Sequence, residues 1–173
     1  MRRPLILFLA TLVLSGCAPK EPPAPAVPEK SEAELRREKY FSKEIVADSA
    51  IAWRTSNLGI KILAPGEGDL VKLNDRVRVH YTGRLVDGTM FDDSRSRGQP
   101  SDFPVGNLIP GWSAAMLTLR PGGKAVFYIP PHLGYGDEPT GKIPPSSTLI
   151  FEIELVDFRP TPPQPEAAAP ASK

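Results

Sequence analysis

Proline placement constrains this chain before anything else does. Of its 21 prolines, eleven lie before residue 29 or after residue 159, and proline removes the backbone donor that helices and inner strands need. Both ends are therefore linker, and the core must be built from the residues between them. Within 173 residues that leaves room for one domain. Lys and Arg number 21 against 20 Asp and Glu, a formal charge of +1, which gives no field for gripping a phosphate backbone, so no nucleic acid partner is expected. One cysteine and two histidines make no paired ligand spacing, no CxxC pair and no internal disulfide. No metal, thiol chemistry or cofactor is expected.

Arg2 and Arg3 precede an apolar run from Leu5 to Leu14 that is broken only by Thr11. It falls short of the roughly 20 residues of a membrane-spanning helix and has the form of a secretory signal. The run closes on Leu14-Ser15-Gly16-Cys17, which resembles the bacterial lipobox, where the cysteine is acylated and the peptide is cut just before it. On that reading residues 1–16 are removed, Cys17 becomes a lipid anchor, and residues 17–30, with five prolines, form a semi-rigid tether. Ala18 rather than Asp follows the cysteine. By resemblance to lipoprotein sorting in Gram-negative bacteria, this implies a cell-envelope location at the outer membrane, facing the periplasm. In a Gram-positive cell the same anchor would lie on the outside of the plasma membrane.

Ser31-Glu32-Ala33-Glu34 has the capping-box form and predicts a helix over 31–54, within an N-terminal segment 31–58. Phe41 and Ile45, then Val46, Ala50 and Trp53, recur at helical spacing, so one side is apolar. That side docks either on its own domain or in a dimer formed through this helix; the sequence leaves monomer and dimer open. From Gly59 the period becomes two. Val77, Val79 and Tyr81 alternate with Arg76, Arg78 and His80, and Leu149, Phe151, Ile153 and Leu155 alternate with Ile150, Glu152 and Glu154. Further strands are expected at 60–64 and 124–129, separated by Gly- and Pro-rich turns, with one short helix over 111–119. Strands around a short helix mean an α+β fold for residues 59–158. Residues 159–173, rich in Pro and Ala, read as a disordered tail.

No nucleophile stands beside a base. His80 falls on the polar side of its strand and His132 follows two prolines, so both read as surface histidines, and hydrolysis has little support. More unusual is the set of apolar residues at loop edges. Tyr81 ends a strand, Phe91 and Asp92 follow a turn, Leu108, Ile109 and Trp112 lead into the short helix, and Tyr135 and Ile143 flank a Gly/Pro loop. Taken singly, each apolar member reads as core.

Together, Val79-His80-Tyr81-Thr82-Gly83, Asp87-Gly88-Thr89-Met90-Phe91-Asp92-Asp93-Ser94, Val105-Gly106-Asn107-Leu108-Ile109-Pro110-Gly111-Trp112, Leu133-Gly134-Tyr135-Gly136, and Ile143-Pro144-Pro145 with Thr148-Leu149-Ile150-Phe151 resemble FKBP-type peptidyl-prolyl cis-trans isomerases in order and spacing. The resemblance implies a curved antiparallel sheet wrapped around one short helix, and an enzyme that speeds rotation about Xaa-Pro bonds in envelope or secreted polypeptides. The lipoprotein signal and preceding helix are similar to the surface-anchored branch that includes macrophage infectivity potentiators, with a far shorter helix. The implied site has Trp112 as floor under the proline ring and Tyr81, Phe91, Leu108, Ile109 and Phe151 as walls. Tyr135 and Ile143 would cover the mouth, offering the Tyr135 hydroxyl and the Ile143 backbone N–H to substrate carbonyls. Asp92 would hold the Tyr81 hydroxyl at the rim, with Arg97 paired to Asp92 or Tyr81. Macrolides of the tacrolimus and rapamycin type are further ligands the resemblance implies. Ser101 stands where macrolide-binding members have another pocket aromatic, Lys142 replaces an apolar residue at the loop tip, and Phe103 is placed to fill part of the gap. These departures bear on macrolide affinity and on preference for the residue before proline more than on activity. A second reading keeps the same cleft as a binding module or holdase chaperone with slight isomerase activity.

Overall fold

The computed structural model describes residues 30–160. The signal, the Cys17 anchor, most of the tether and the tail from residue 161 onward lie outside them.

Three long or well-paired strands form the centre of the molecule: β3 (Asp75–Leu85), β6 (Lys124–Ile129) and β7 (Leu149–Pro160). β1 (Ala52–Trp53) and β2 (Gly59–Ala64) extend the sheet beyond β6, while β4 (Met90–Asp93) and β5 (Ser101–Pro104) pair with the far side of β3. The order is β1-β2-β6-β7-β3-β4, with every pair antiparallel and β5 also on β3. Alternation explains the inner face. Val77, Val79 and Tyr81 of β3, Ala125, Phe127 and Ile129 of β6, and Leu149, Phe151, Ile153 and Leu155 of β7 are all buried in one cluster. A bulge between Arg78 and Val79 opposes these two residues to Asp157 and Leu155, so Val156 is the extra residue and is exposed. Past it, Phe158 faces Val77 and packs on the core. The period therefore changes phase within β7. Arg159 and Pro160, expected in the tail, instead finish this strand opposite Arg76 and Asp75.

Among the described residues the inner face is covered by α3 (Pro110–Met116), whose Trp112, Ala115 and Met116 are buried. Pro110 opens the helix, where its missing N–H costs nothing. Val105–Asn107 form a 3₁₀ turn just before it. The Ser113 hydroxyl donates to the Val105 carbonyl at 2.7 Å and reaches that of Leu108 at 3.3 Å, tying turn and helix together. Leu108 and Ile109 are thereby fixed beside the helix start.

The helix expected over 31–54 is not continuous. It is replaced by α1 (Glu32–Glu38), α2 (Lys43–Ala47) and then β1. The capping box forms as expected, with the Glu34 carboxylate accepting from the Ser31 N–H at 2.7 Å. Ser42 breaks the helix because its side chain accepts from the Ile45 N–H, making it a second N-cap rather than an interior residue. The break turns Phe41 inward, 5.1 Å from Trp53 and 6.1 Å from Tyr128 between ring centres. Tyr128 follows Phe127, so it points to the opposite face of β6. Phe41, Val46 and Ile51 are buried, and Lys61 closes the contact with Asp48 at 2.7 Å. The apolar side of the N-terminal segment is thus covered by its own domain.

Candidate active site

Between α3 and strands β3, β4, β5 and β7 lies a cavity of about 510 Å³. It is lined by Tyr81, Phe91, Asp92, Phe103, Leu108, Ile109, Trp112, Tyr135, Ile143 and Phe151, together with Asn107, Thr140, Gly141 and Lys142. The strand period places Tyr81 and Phe151 on the inner face, and α3 brings Trp112 down between them. Tyr81 lies 5.3 Å from Trp112 at 88°, Phe151 5.1 Å at 89°, and Phe103 6.1 Å at 87°. These edge-to-face contacts each contribute about 0.5–1.5 kcal/mol beyond burial and hold the rings in fixed orientations. Trp112 is only 4% exposed, yet it lines the cavity. Gly83 has a local role here. A Cβ at this position would come within 2.5 Å of the Phe91 ring and 2.9 Å of the Phe151 ring, which meet edge-on at 5.4 Å.

Polar groups gather at one rim. The Tyr81 hydroxyl donates to one oxygen of Asp92, and Arg97 donates to the other at 2.5 Å. Arg97 also reaches the Tyr81 oxygen at 3.0 Å and the Ser101 hydroxyl at 3.2 Å. Burial pushes the Asp92 carboxyl up, but the hydrogen bonds from Tyr81 and Arg97 and the charge of Arg97 outweigh it and hold it below its ordinary value. Burial first, then the bond to Asp92, raises the Tyr81 hydroxyl. Tyr135, across the mouth, is raised by burial and by the Asp92 charge. It is 37% exposed and its hydroxyl makes no hydrogen bond among the described residues.

One implied role does not fit. The Ile143 N–H donates to the Thr140 carbonyl at 2.9 Å, closing a turn, and is spent before any substrate arrives. Ser94, which the sequence marks only as a motif member, holds the Tyr81 backbone in place. It is fully buried, accepts from the Tyr81 N–H at 2.8 Å, and its own N–H donates to the Tyr81 carbonyl at 2.9 Å, locking the strand that carries the ring. In sequence it is a small polar residue two positions after Asp92; the fold turns it onto Tyr81. The histidines are not unpartnered: His80 Nδ1 sits 3.2 Å from the Ser94 hydroxyl, and His132 Nε2 sits 3.1 Å from the Ser56 carbonyl. Neither lines the cavity. No cluster of metal-ligating side chains occurs among the described residues.

The model of the FKBP-type peptidyl-prolyl cis-trans isomerase family matches residues 68–156, just over half the chain. The chain belongs to this family. Its FKBP-type domain is 43% identical over 121 residues to a probable FKBP-type peptidyl-prolyl cis-trans isomerase of Haemophilus influenzae, covering 69% of this chain and 50% of the relative. The peptidyl-prolyl cis-trans isomerase Mip of Coxiella burnetii is 42% identical over 105 residues, covering 60% of this chain and 46% of that protein, in keeping with the infectivity-potentiator branch. A crystal structure of a peptidyl-prolyl cis-trans isomerase from Pseudomonas syringae superposes with a TM-score of 0.64 at 35% identity, over 75% of this chain and 96% of that one. The FKBP-type chain spans about half the length of the curated relatives it matches. A prokaryotic membrane lipoprotein lipid attachment site matches residues 1–18, which marks a lipid-anchored protein of a bacterial envelope. No helix among the described residues is long and apolar enough to cross a membrane.

Proposed function

We propose that the protein is a peptidyl-prolyl cis-trans isomerase whose cavity takes the proline ring onto Trp112. The observation that carries this reading is the set of apolar walls around an aromatic floor, with the hydrogen-bonded cluster of Tyr81, Asp92 and Arg97 at one edge of the mouth. The uncatalysed rotation breaks amide resonance across a barrier of about 18–20 kcal/mol. The planar imide is charge-separated and prefers water, whereas the twisted imide is less polar along C–N. A dry aromatic cavity therefore disfavours the start more than the summit, and the barrier falls. An acceleration of about a thousandfold needs only about 4 kcal/mol, within reach of apolar walls and one or two hydrogen bonds. In this reading Phe91, Phe103, Leu108, Ile109, Phe151 and the Ile143 side chain shape the walls, and the Tyr135 hydroxyl donates to a substrate carbonyl. Tyr81, Asp92 and Arg97 set the polarity of one edge.

Residues 1–16 are removed as a signal, Cys17 is acylated, and residues 17–30 hold the domain off the membrane. Ala18 and the bacterial relatives support an outer-membrane anchor facing the periplasm, with unfolded or secreted proline-containing polypeptides as substrates. Macrolides of the tacrolimus and rapamycin type enter the same cavity, more weakly for want of an aromatic at Ser101.

The test is the cis-to-trans rate of a short Xaa-Pro peptide with the soluble 18–173 chain, with and without rapamycin. Native protein is expected to accelerate rotation, and rapamycin to slow it. Trp112→Leu should lose most of the acceleration while circular dichroism stays native. A folded native protein that binds the peptide without speeding rotation would instead mark a holdase or binding module.

A further inference from the structure

Two charged side chains line the cavity, Asp92 and Lys142, and their surroundings differ. Asp92 is matched by Arg97 at 2.5 Å and accepts from the Tyr81 hydroxyl. Lys142 makes no hydrogen bond or ion pair among the described residues. The acidic members of its loop, Asp137 and Glu138, do not line the cavity, and Asp137 accepts instead from the Ser146 hydroxyl. The cavity is left with one uncompensated charge, and it is positive.

The loop fixes where that charge sits. The Thr140 N–H donates to the Ile143 carbonyl at 3.0 Å and the Ile143 N–H returns a bond to Thr140 at 2.9 Å, closing a two-residue hairpin with Gly141 and Lys142 at its tip. Gly141 has φ +58, a conformation that a residue without Cβ takes at little cost. Ile143 is buried in the core cluster, so the base of the hairpin is tied down. An ammonium on a flexible four-carbon stem starts from a fixed point at the mouth.

We propose that Lys142 is a specificity-determining residue that favours an acidic side chain beside the substrate proline. This rests on the isomerase reading above. A proline seated on Trp112 leaves its neighbours at the mouth, where a carboxylate is attracted by Lys142 and an ammonium is repelled. Because Lys142 is exposed, the gain is modest, about threefold to fivefold for a contact pair in water, and salt screens it.

The test compares kcat/KM for three peptides that differ only in the residue before proline, which is Glu, Leu or Lys. It uses native protein, Lys142→Gln and Lys142→Glu, at low and high salt. The Glu-to-Lys ratio should exceed one in the native protein, fall toward one in Lys142→Gln, invert in Lys142→Glu, and collapse in high salt. A ratio that is the same in all three proteins overturns the role of Lys142 and leaves the isomerase reading standing. Failure of the native protein to accelerate even the Leu peptide overturns both.

Discussion

Asp92 divides its two oxygens between the Tyr81 hydroxyl and the Arg97 guanidinium. Because these bonds hold its carboxyl below the ordinary value of 3.8 against the upward push of burial, the group stays ionised throughout the neutral and mildly acid range. A folded-state value that is depressed means stabilisation present above the ordinary value and lost as pH falls through the folded one. The Asp92 side chain is 41% exposed, so solvent screening keeps that stabilisation small. Tyr81 is shifted the other way from 10.0, chiefly by burial, and stays protonated until pH rises beyond that value. The pH–rate profile of the native protein should therefore be flat through neutrality and decline only in acid below Asp's ordinary value. Asp92→Asn should lower the plateau several-fold and remove the acid limb. An acid limb that persists in Asp92→Asn would place the titrating group elsewhere.

At the scale of elements, Ser42, Asp48 and the Val156 bulge decide more than propensity does. Ser42 starts a second short helix, and Asp48, the residue at which α2 ends, accepts from the Ala50 N–H at 2.9 Å and binds Lys61. Together they fold Phe41 and Ile51 back against β2 and β6. This patch lies on the sheet face opposite Trp112, because Phe127 packs toward that indole while its neighbour Tyr128 points to Phe41. Phe41→Ala is therefore expected to cost about 3 kcal/mol of stability, as a buried aromatic truncation does, measured by denaturant unfolding. Catalytic rate at a temperature where the variant is folded should change by less than about twofold, since no cavity-lining side chain moves. A large loss of activity in the folded variant would mean that the two faces of the sheet are coupled.

For the whole molecule, the main apolar side chains of the N-terminal segment are taken up by its own domain, which argues for a monomer. Phe41, Val46 and Ile51 are already buried within one chain. Scattering from the 18–173 chain should give the mass of a monomer, and a concentration-independent dimer would require a different interface. The lipid attachment site at residues 1–18 makes a separate prediction. Cys17→Ala should move the protein from the membrane to the soluble fraction of cells and leave peptide isomerisation unchanged in vitro. Membrane retention of that variant would rule out Cys17 as the sole anchor.

Periodicity determined the inner face of β3, β6 and β7 and the place of α3, because these depend on local preference and on which side of a strand each residue occupies. The cavity-lining set was legible as well, but through motif order rather than through any property of Phe91 or Ile109 taken alone. Tertiary structure decided the rest. Ser94 is a small polar residue until the β3 pairing turns it onto the Tyr81 backbone, and the Ile143 N–H is a free donor until Thr140 claims it. The N-terminal segment reads as one helix until Ser42 caps a second and the outer sheet face offers Tyr128 to Phe41. Each of these outcomes depends on a competition between partners far apart in the chain, and a linear pattern carries no record of which partner wins.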